Sequence, residues 1–145
     1  MHTLTAPPPV PYPARYIIDP VAFFVALIGG PLMFTALSFW ALFIPVFALA
    51  LGGPVYLLIG MPVLLWYLRH YDCDAGDLAF LALVVMLLCL IPLAAVAVIS
   101  GDGEIFGAGF AYLGFGMIFG PAWAYFFGWI YTRLRRDFYS KPRRF

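Results

Sequence analysis

The residues best suited to chemistry sit in one short segment, His70-Tyr71-Asp72-Cys73-Asp74-Ala75-Gly76-Asp77. An imidazole, a thiol and three carboxylates so close together offer the donors that hold a divalent metal, with His70, Asp72, Asp74 and Asp77 as the candidate ligands. An EF-hand is excluded, because Gly76 takes the fifth position, where an acid or amide belongs, and no Glu closes the loop. An Asp-x-Asp pair also serves metal-dependent glycosyl transfer, but that chemistry needs a nucleotide-binding domain that this chain lacks. The simpler reading, which we favour, has Asp74 or Asp77 capping the helix that follows, with the other acids offsetting Arg69. No metal and no cofactor are therefore expected.

Elsewhere the chain offers little to a catalyst. Ser-His-Asp, HExxH, Walker A and GxGxxG patterns are all absent. No Asp, Glu, Lys, Arg or His falls within a predicted membrane span, which speaks against a proton-coupled pump. His2 and His70, the only histidines, lie outside those spans and cannot ligate a haem between facing helices. Asp102 and Glu104, among glycines, form a poor cation site and read as a solvated turn. Cys73 and Cys89 are too far apart for a CxxC motif; Cys89 reads as a small hydrophobe in an apolar run, and Cys73 as a free thiol in a polar loop. A non-enzyme is expected.

The elements that position these residues follow from composition. Of 145 residues, 65% are hydrophobic and only 10% charged, where a soluble domain carries roughly a quarter charged residues. Mean hydropathy is +0.98. The fold class expected is an all-α integral membrane protein, with about four transmembrane helices in one bundle. The uncharged stretch from Val21 to Leu68 is too long for one crossing, since about 20 residues span the hydrocarbon. The break is placed at Leu51-Gly52-Gly53-Pro54, where glycine closes one helix and proline opens the next. The spans are then about 20–47, 54–68, 78–99 and 107–131. They are flanked by a Pro-rich arm, 1–19, and a basic tail, 132–145. The arm favours an extended polyproline II course, and its lack of a basic start argues for an anchor that is retained. Pro31, Pro62, Pro92 and Pro121 are expected to bend their helices.

Orientation follows from the cations. With four spans, the arm, the central loop and the tail share one side, and these three segments hold every Lys and Arg in the chain. The positive-inside rule then puts both termini in the cytoplasm. Seven Arg against one Lys, with abundant Ala, Gly and Pro, point to a GC-rich bacterial genome and hence the inner membrane. In the tail, Arg133, Arg135, Arg136, Lys141, Arg143 and Arg144 outnumber Asp137. At about 1 kcal/mol per cation they should hold the tail on anionic lipids, or dock an acidic partner. A net charge of +1 gives the whole molecule no field to recruit nucleic acid.

The last span is rich in glycine, and Gly109, Gly116 and Gly120 fall nearly on one face, with Gly116 and Gly120 forming a GxxxG. Such a face lets another helix approach closely, either from the same chain, the simpler reading, or from a second protein. Aromatics gather towards the span ends at Trp40, Trp66, Tyr67, Tyr125, Trp129 and Tyr131, as interfacial anchors do. Together these features lead us to expect a non-catalytic accessory or assembly subunit of a larger bacterial inner-membrane complex, with lipid and other membrane subunits as its partners. Substitutions such as Gly116→Leu or Gly120→Leu would then release it from that complex. Two alternatives stay open. One is a small self-associating transporter or channel with a polar cavity lined by Thr35, Ser38, Tyr56 or Tyr112. The other is a metal-dependent enzyme at the cytoplasmic surface.

Overall fold

Asp19 starts the first helix by accepting hydrogen bonds from the amides of Val21, at 3.1 Å, and Ala22, at 3.3 Å. Pro20 at the first helical position has no amide to leave unpaired. In the computed structural model, which describes residues 16–38, 44–101 and 103–136, this helix, α1, runs Pro20–Leu37. It is followed by α2, Ile44–His70, by α3, Ala75–Ser100, and by α4, Gly103–Leu134. The described residues are all-helical with no strand, and four helices are long and apolar enough to cross a membrane. The side chains on their outer faces agree: Leu58, Val98 and Ile99 are 76%, 82% and 85% exposed. In water such faces would drive aggregation, whereas lipid tails solvate them.

One expected boundary is corrected. Leu51-Gly52-Gly53-Pro54 is not a reversal but lies inside α2, and α1 ends at Leu37 instead of running on to Phe47. At that end the Ser38 amide and hydroxyl both donate to the Phe34 carbonyl. The physical reason lies in the solvent. Glycine and proline break helices in water because water satisfies the freed backbone groups, and hydrocarbon offers no such replacement. Here the stretch stays helical and α4 serves it: the Tyr112 hydroxyl donates to the Leu51 carbonyl at 3.1 Å. A side chain at Gly52 would meet the Trp123 ring at 3.2 Å, so this glycine marks a close helix contact. Further along, α2 contains one π-helical turn, Tyr56–Gly60, in which the Met61 amide bonds the Tyr56 carbonyl. This widened turn sits just before Pro62, whose ring would crowd the preceding turn of a regular helix.

The packing centre is α4, which lies along α3 on one side and α1 on another, with α2 attached more lightly. The glycines make the α3–α4 contact possible. Gly109 faces Leu93, Gly116 and Gly120 face Met86, and Gly128 abuts Ala75 and Leu78. The candidate stripe thus packs within the chain against α3 and extends one step further, to Gly128. Gly116 and Gly120 are accordingly covered, whereas Gly107 and Gly114 have open space beyond them. A second close approach joins α1 to α4, where a Cβ on Gly30 would come within 3.0 Å of the Phe127 nitrogen and the Trp123 oxygen.

The buried core is not central. It gathers Phe23, Ala26 and Leu27 of α1, Leu64 and Leu68 of α2, Leu78 of α3, and Ala124, Phe127 and Tyr131 of α4. These come from the start of α1, the end of α2, the start of α3 and the end of α4, so the core lies at the one end of the bundle where all four meet. Edge-to-face contact between Phe23 and Phe127, at 5.4 Å, and stacking of Phe127 on Tyr131, at 5.8 Å, fill it.

Candidate functional site

At this packed end the polar residues form a clasp. Asp19 is only 2% exposed; besides capping α1, its carboxylate accepts from Arg136 Nε at 3.2 Å, and its amide donates to the Tyr131 hydroxyl at 3.3 Å. The start of the chain's first span is thereby tied to the end of its last. Arg135 reaches Asp72 of the central loop at 2.7 Å, and the Tyr16 amide donates to the Arg69 carbonyl at 3.1 Å. Three segments far apart in sequence, the arm, the loop and the tail, converge here. Burial works to raise the Asp19 pKa, but the Ala22 amide and the Arg136 guanidinium outweigh it and hold the carboxyl below its usual 3.8.

The candidate metal ligands are brought near this end but are engaged separately. His70 Nδ1 lies 2.7 Å from the Trp66 carbonyl. Asp72 accepts from Arg135 and from the Cys73 amide. Asp74 is the N-cap of α3, accepting from the amides of Gly76 and Asp77 at 2.8 and 3.1 Å. Asp77 accepts from the Tyr67 hydroxyl at 3.4 Å. Among the described residues, no group of three or more His, Cys, Asp or Glu is placed to share a metal ion.

Cys73, expected in a polar loop, is 8% exposed, with its thiol 4.0 Å from the Gly128 carbonyl. Burial pushes its pKa up to about 12, aided by Asp72 and Asp74 and opposed by Arg135. A thiol so held is a poor nucleophile at neutral pH.

Of the tail cations, Arg133 lies over the Trp129 ring, 4.5 Å from its centroid, while Arg135 and Arg136 make the ion pairs just described. Lys141, Arg143 and Arg144 lie outside the described residues, as do Trp40, Asp102 and the Pro-rich segment of the arm.

At the other end of the bundle the structure opens a space that is apolar where the transporter alternative expected a polar one. There α2 and α4 diverge around a cavity of about 260 Å³, walled by both helices and by Met86 of α3. Its lining is almost entirely apolar and strongly aromatic. Tyr56 and Trp123 stand in its wall, their rings 5.5 Å apart and edge to face. Among the described residues, three buried side-chain polar atoms have no hydrogen-bond partner, and two of them are Tyr56 Oη and Trp123 Nε1. The third, Thr35 Oγ1, lies on α1 and does not line this cavity. Of the residues expected to line a polar cavity, Tyr56 and Tyr112 are in the wall, and Thr35 and Ser38 are not. No local pattern could have signalled this space, because it arises where two helices remote in sequence fail to close.

The fold and its sites define a multi-pass membrane protein of four helices. No family model, no curated protein and no solved structure matches the chain.

Proposed function

We propose that this chain is a non-catalytic accessory or assembly subunit of a larger complex in a bacterial inner membrane. The observation that carries the reading is the uneven packing of the bundle. Residues of α1 and α4 supply much of the buried core, whereas in the most apolar window of α2 only 6% of residues are buried, and in that of α3 none. Two helices thus offer nearly their whole outer lengths to neighbours. On α4, Gly107 and Gly114 have nothing within reach of an added Cβ, so a helix from another subunit has room to approach there. The membrane holds such a subunit by van der Waals packing, since lipid gives no hydrophobic drive between helices.

Both termini are cytoplasmic in this proposal. The clasp supports it: the three segments that carry all the cations meet at one end of the bundle, and that end belongs on the positive side. The prolines inside the helices, Pro31, Pro62, Pro92 and Pro121, bend them in this reading, and the π turn before Pro62 is the feature that favours it.

Extraction from the native membrane in a mild detergent, followed by native mass measurement, tests the function. A stoichiometric larger complex is expected. A lone monomer or homodimer overturns the reading and favours a small self-associating transporter, for which the cavity between α2 and α4 would be the starting point. For orientation, Ser140→Cys in a cysteine-free background should react with an impermeant maleimide only after the cells are opened. Labelling of intact spheroplasts would reverse the assignment.

A further inference from the structure

At the clasped end a short strap bridges α2 and α1. The Tyr16 amide donates to the Arg69 carbonyl at 3.1 Å and Asp19 caps α1, so residues 16–19 cross from the end of one helix to the start of the other. On the hydrocarbon side of this strap the backbones of α1 and of the stretch Met61–His70 scarcely approach each other. The cleft left between them measures about 390 Å³, within the roughly 300–1,000 Å³ of small-molecule sites. Phe23 and Phe24 of α1 and Met61 and Leu65 of α2 wall it, and Tyr16 and Arg69 complete it at the strap.

The order of these residues matches that of a lipid. Met61, Leu65 and Arg69 follow at four-residue steps on one face of α2, which puts Leu65 about 6 Å and Met61 about 12 Å deeper than Arg69. A charge at the helix end thus gives way to apolar wall towards the hydrocarbon. Charge then selects the head group. Every other described Arg is engaged: Arg135 with Asp72, Arg136 with Asp19, and Arg133 with the Trp129 ring. Arg69 is exposed, and its guanidinium makes no ion pair or hydrogen bond among the described residues. The remaining described acids at this end are occupied, Asp74 by the amides of Gly76 and Asp77, and Asp77 by the Tyr67 hydroxyl. The arm cannot bring the missing anion, because residues 1–15 contain no Asp or Glu.

We propose that this cleft holds one anionic glycerophospholipid. The Arg69 guanidinium donates to its phosphate through the paired N–H groups that suit phosphate oxygens, and an acyl chain runs along Leu65 and Met61 towards the middle of the bilayer. Basic pockets between membrane helices are where such head groups are held. A free phosphate ion would leave the apolar walls uncovered, so the lipid is the source of the anion. The site is separate from the basic tail, and it does not depend on whether the chain acts alone or within a complex.

The test uses the full chain, stripped of lipid in a mild detergent and titrated with phosphatidylglycerol, with native mass spectrometry and melting temperature as readouts. Saturable retention of one lipid per chain and a rise in melting temperature are expected. Phosphatidylcholine with the same acyl chains should be retained more weakly, because its own ammonium offsets the phosphate. Arg69→Gln should weaken the apparent affinity for phosphatidylglycerol about tenfold, the loss of a charge-assisted contact. Its lipid-free melting temperature should match that of the wild type, since the Arg69 side chain holds nothing within the protein. Arg133→Gln removes the same charge elsewhere and should leave retention unchanged. Phe24→Ala, on the opposite wall, should weaken it severalfold by taking away apolar surface. Equal retention of the two lipids, equal losses for Arg69→Gln and Arg133→Gln, or binding that Phe24→Ala leaves untouched overturns the proposal. So does a rise in melting temperature with glycerol phosphate alone, which would mark a site for free anions. Retention that appears only once residues 2–14 are deleted would show that the arm fills the cleft, and overturns it as well.

Discussion

Gly128→Val should destabilise the protein by about 3 kcal/mol, the upper end of the range for overpacking, because the contact it disturbs is with backbone. A Cβ at this position would come within 2.8 Å of the Ala75 Cα and 3.1 Å of its Cβ. Ala75 opens α3 directly after the Asp74 cap, so it cannot retreat without loosening that cap or the first turn. The Gly128 carbonyl also receives the Thr132 hydroxyl at 2.8 Å and faces the Cys73 thiol, so the loop before α3 moves as well. The matched control is Gly114→Ala. It meets nothing within 4 Å and exchanges glycine for a better helix former, worth up to about 1 kcal/mol. Melting curves in detergent, read by circular dichroism, should therefore move in opposite directions or, for Gly114→Ala, not fall. Equal losses for the two variants would remove the claim that the glycine seam against α3 organises the bundle.

Asp19→Ala should cost about 2–3 kcal/mol, combining the loss of an N-cap with buried amides left unpaired. The residue also makes stability depend on acid. Its folded-state pKa lies below the ordinary 3.8, so the folded protein takes up this proton less readily than the unfolded chain. Its contribution is complete above the unfolded pKa and is lost as pH falls through the lower, folded one. The melting temperature should thus decline below about pH 4. Asp19→Asn keeps an oxygen for the cap but carries no charge, and its acid limb should be flatter than that of the wild type. Superimposable acid limbs would show that the pairing of Asp19 with Arg136 is not what holds α1 to α4.

Much of this was legible from residue types. Long uncharged stretches required crossings because backbone in hydrocarbon must bond to itself, and that constraint is local. That Asp74 or Asp77 caps a helix was legible for the same reason, since a cap needs only its own residue and the next three, and the structure gives the cap to Asp74. Asp19 passed unnoticed even though it is the same device: its burial depends on Tyr131 and Arg136, more than a hundred residues away. Gly52-Gly53-Pro54 was misread because its turn-forming tendency is a property of chains in water. The Gly109, Gly116 and Gly120 face was visible as a stripe, but no spacing rule could say that α3 of the same chain would cover it.

What the sequence by itself determined, then, is the number of membrane-crossing helices and the gathering of every cation into three segments, both consequences of burying apolar surface in one medium and charge in another. The tertiary structure decided where the first reversal falls, which glycines are covered, and that one end of the bundle is clasped while the other holds an aromatic cavity. Those outcomes depend on which helix faces meet and how closely. That is settled by the fit of Gly128 to Ala75, Gly30 to Phe127 and Asp19 to Arg136, pairs that exist only once the chain has folded back on itself.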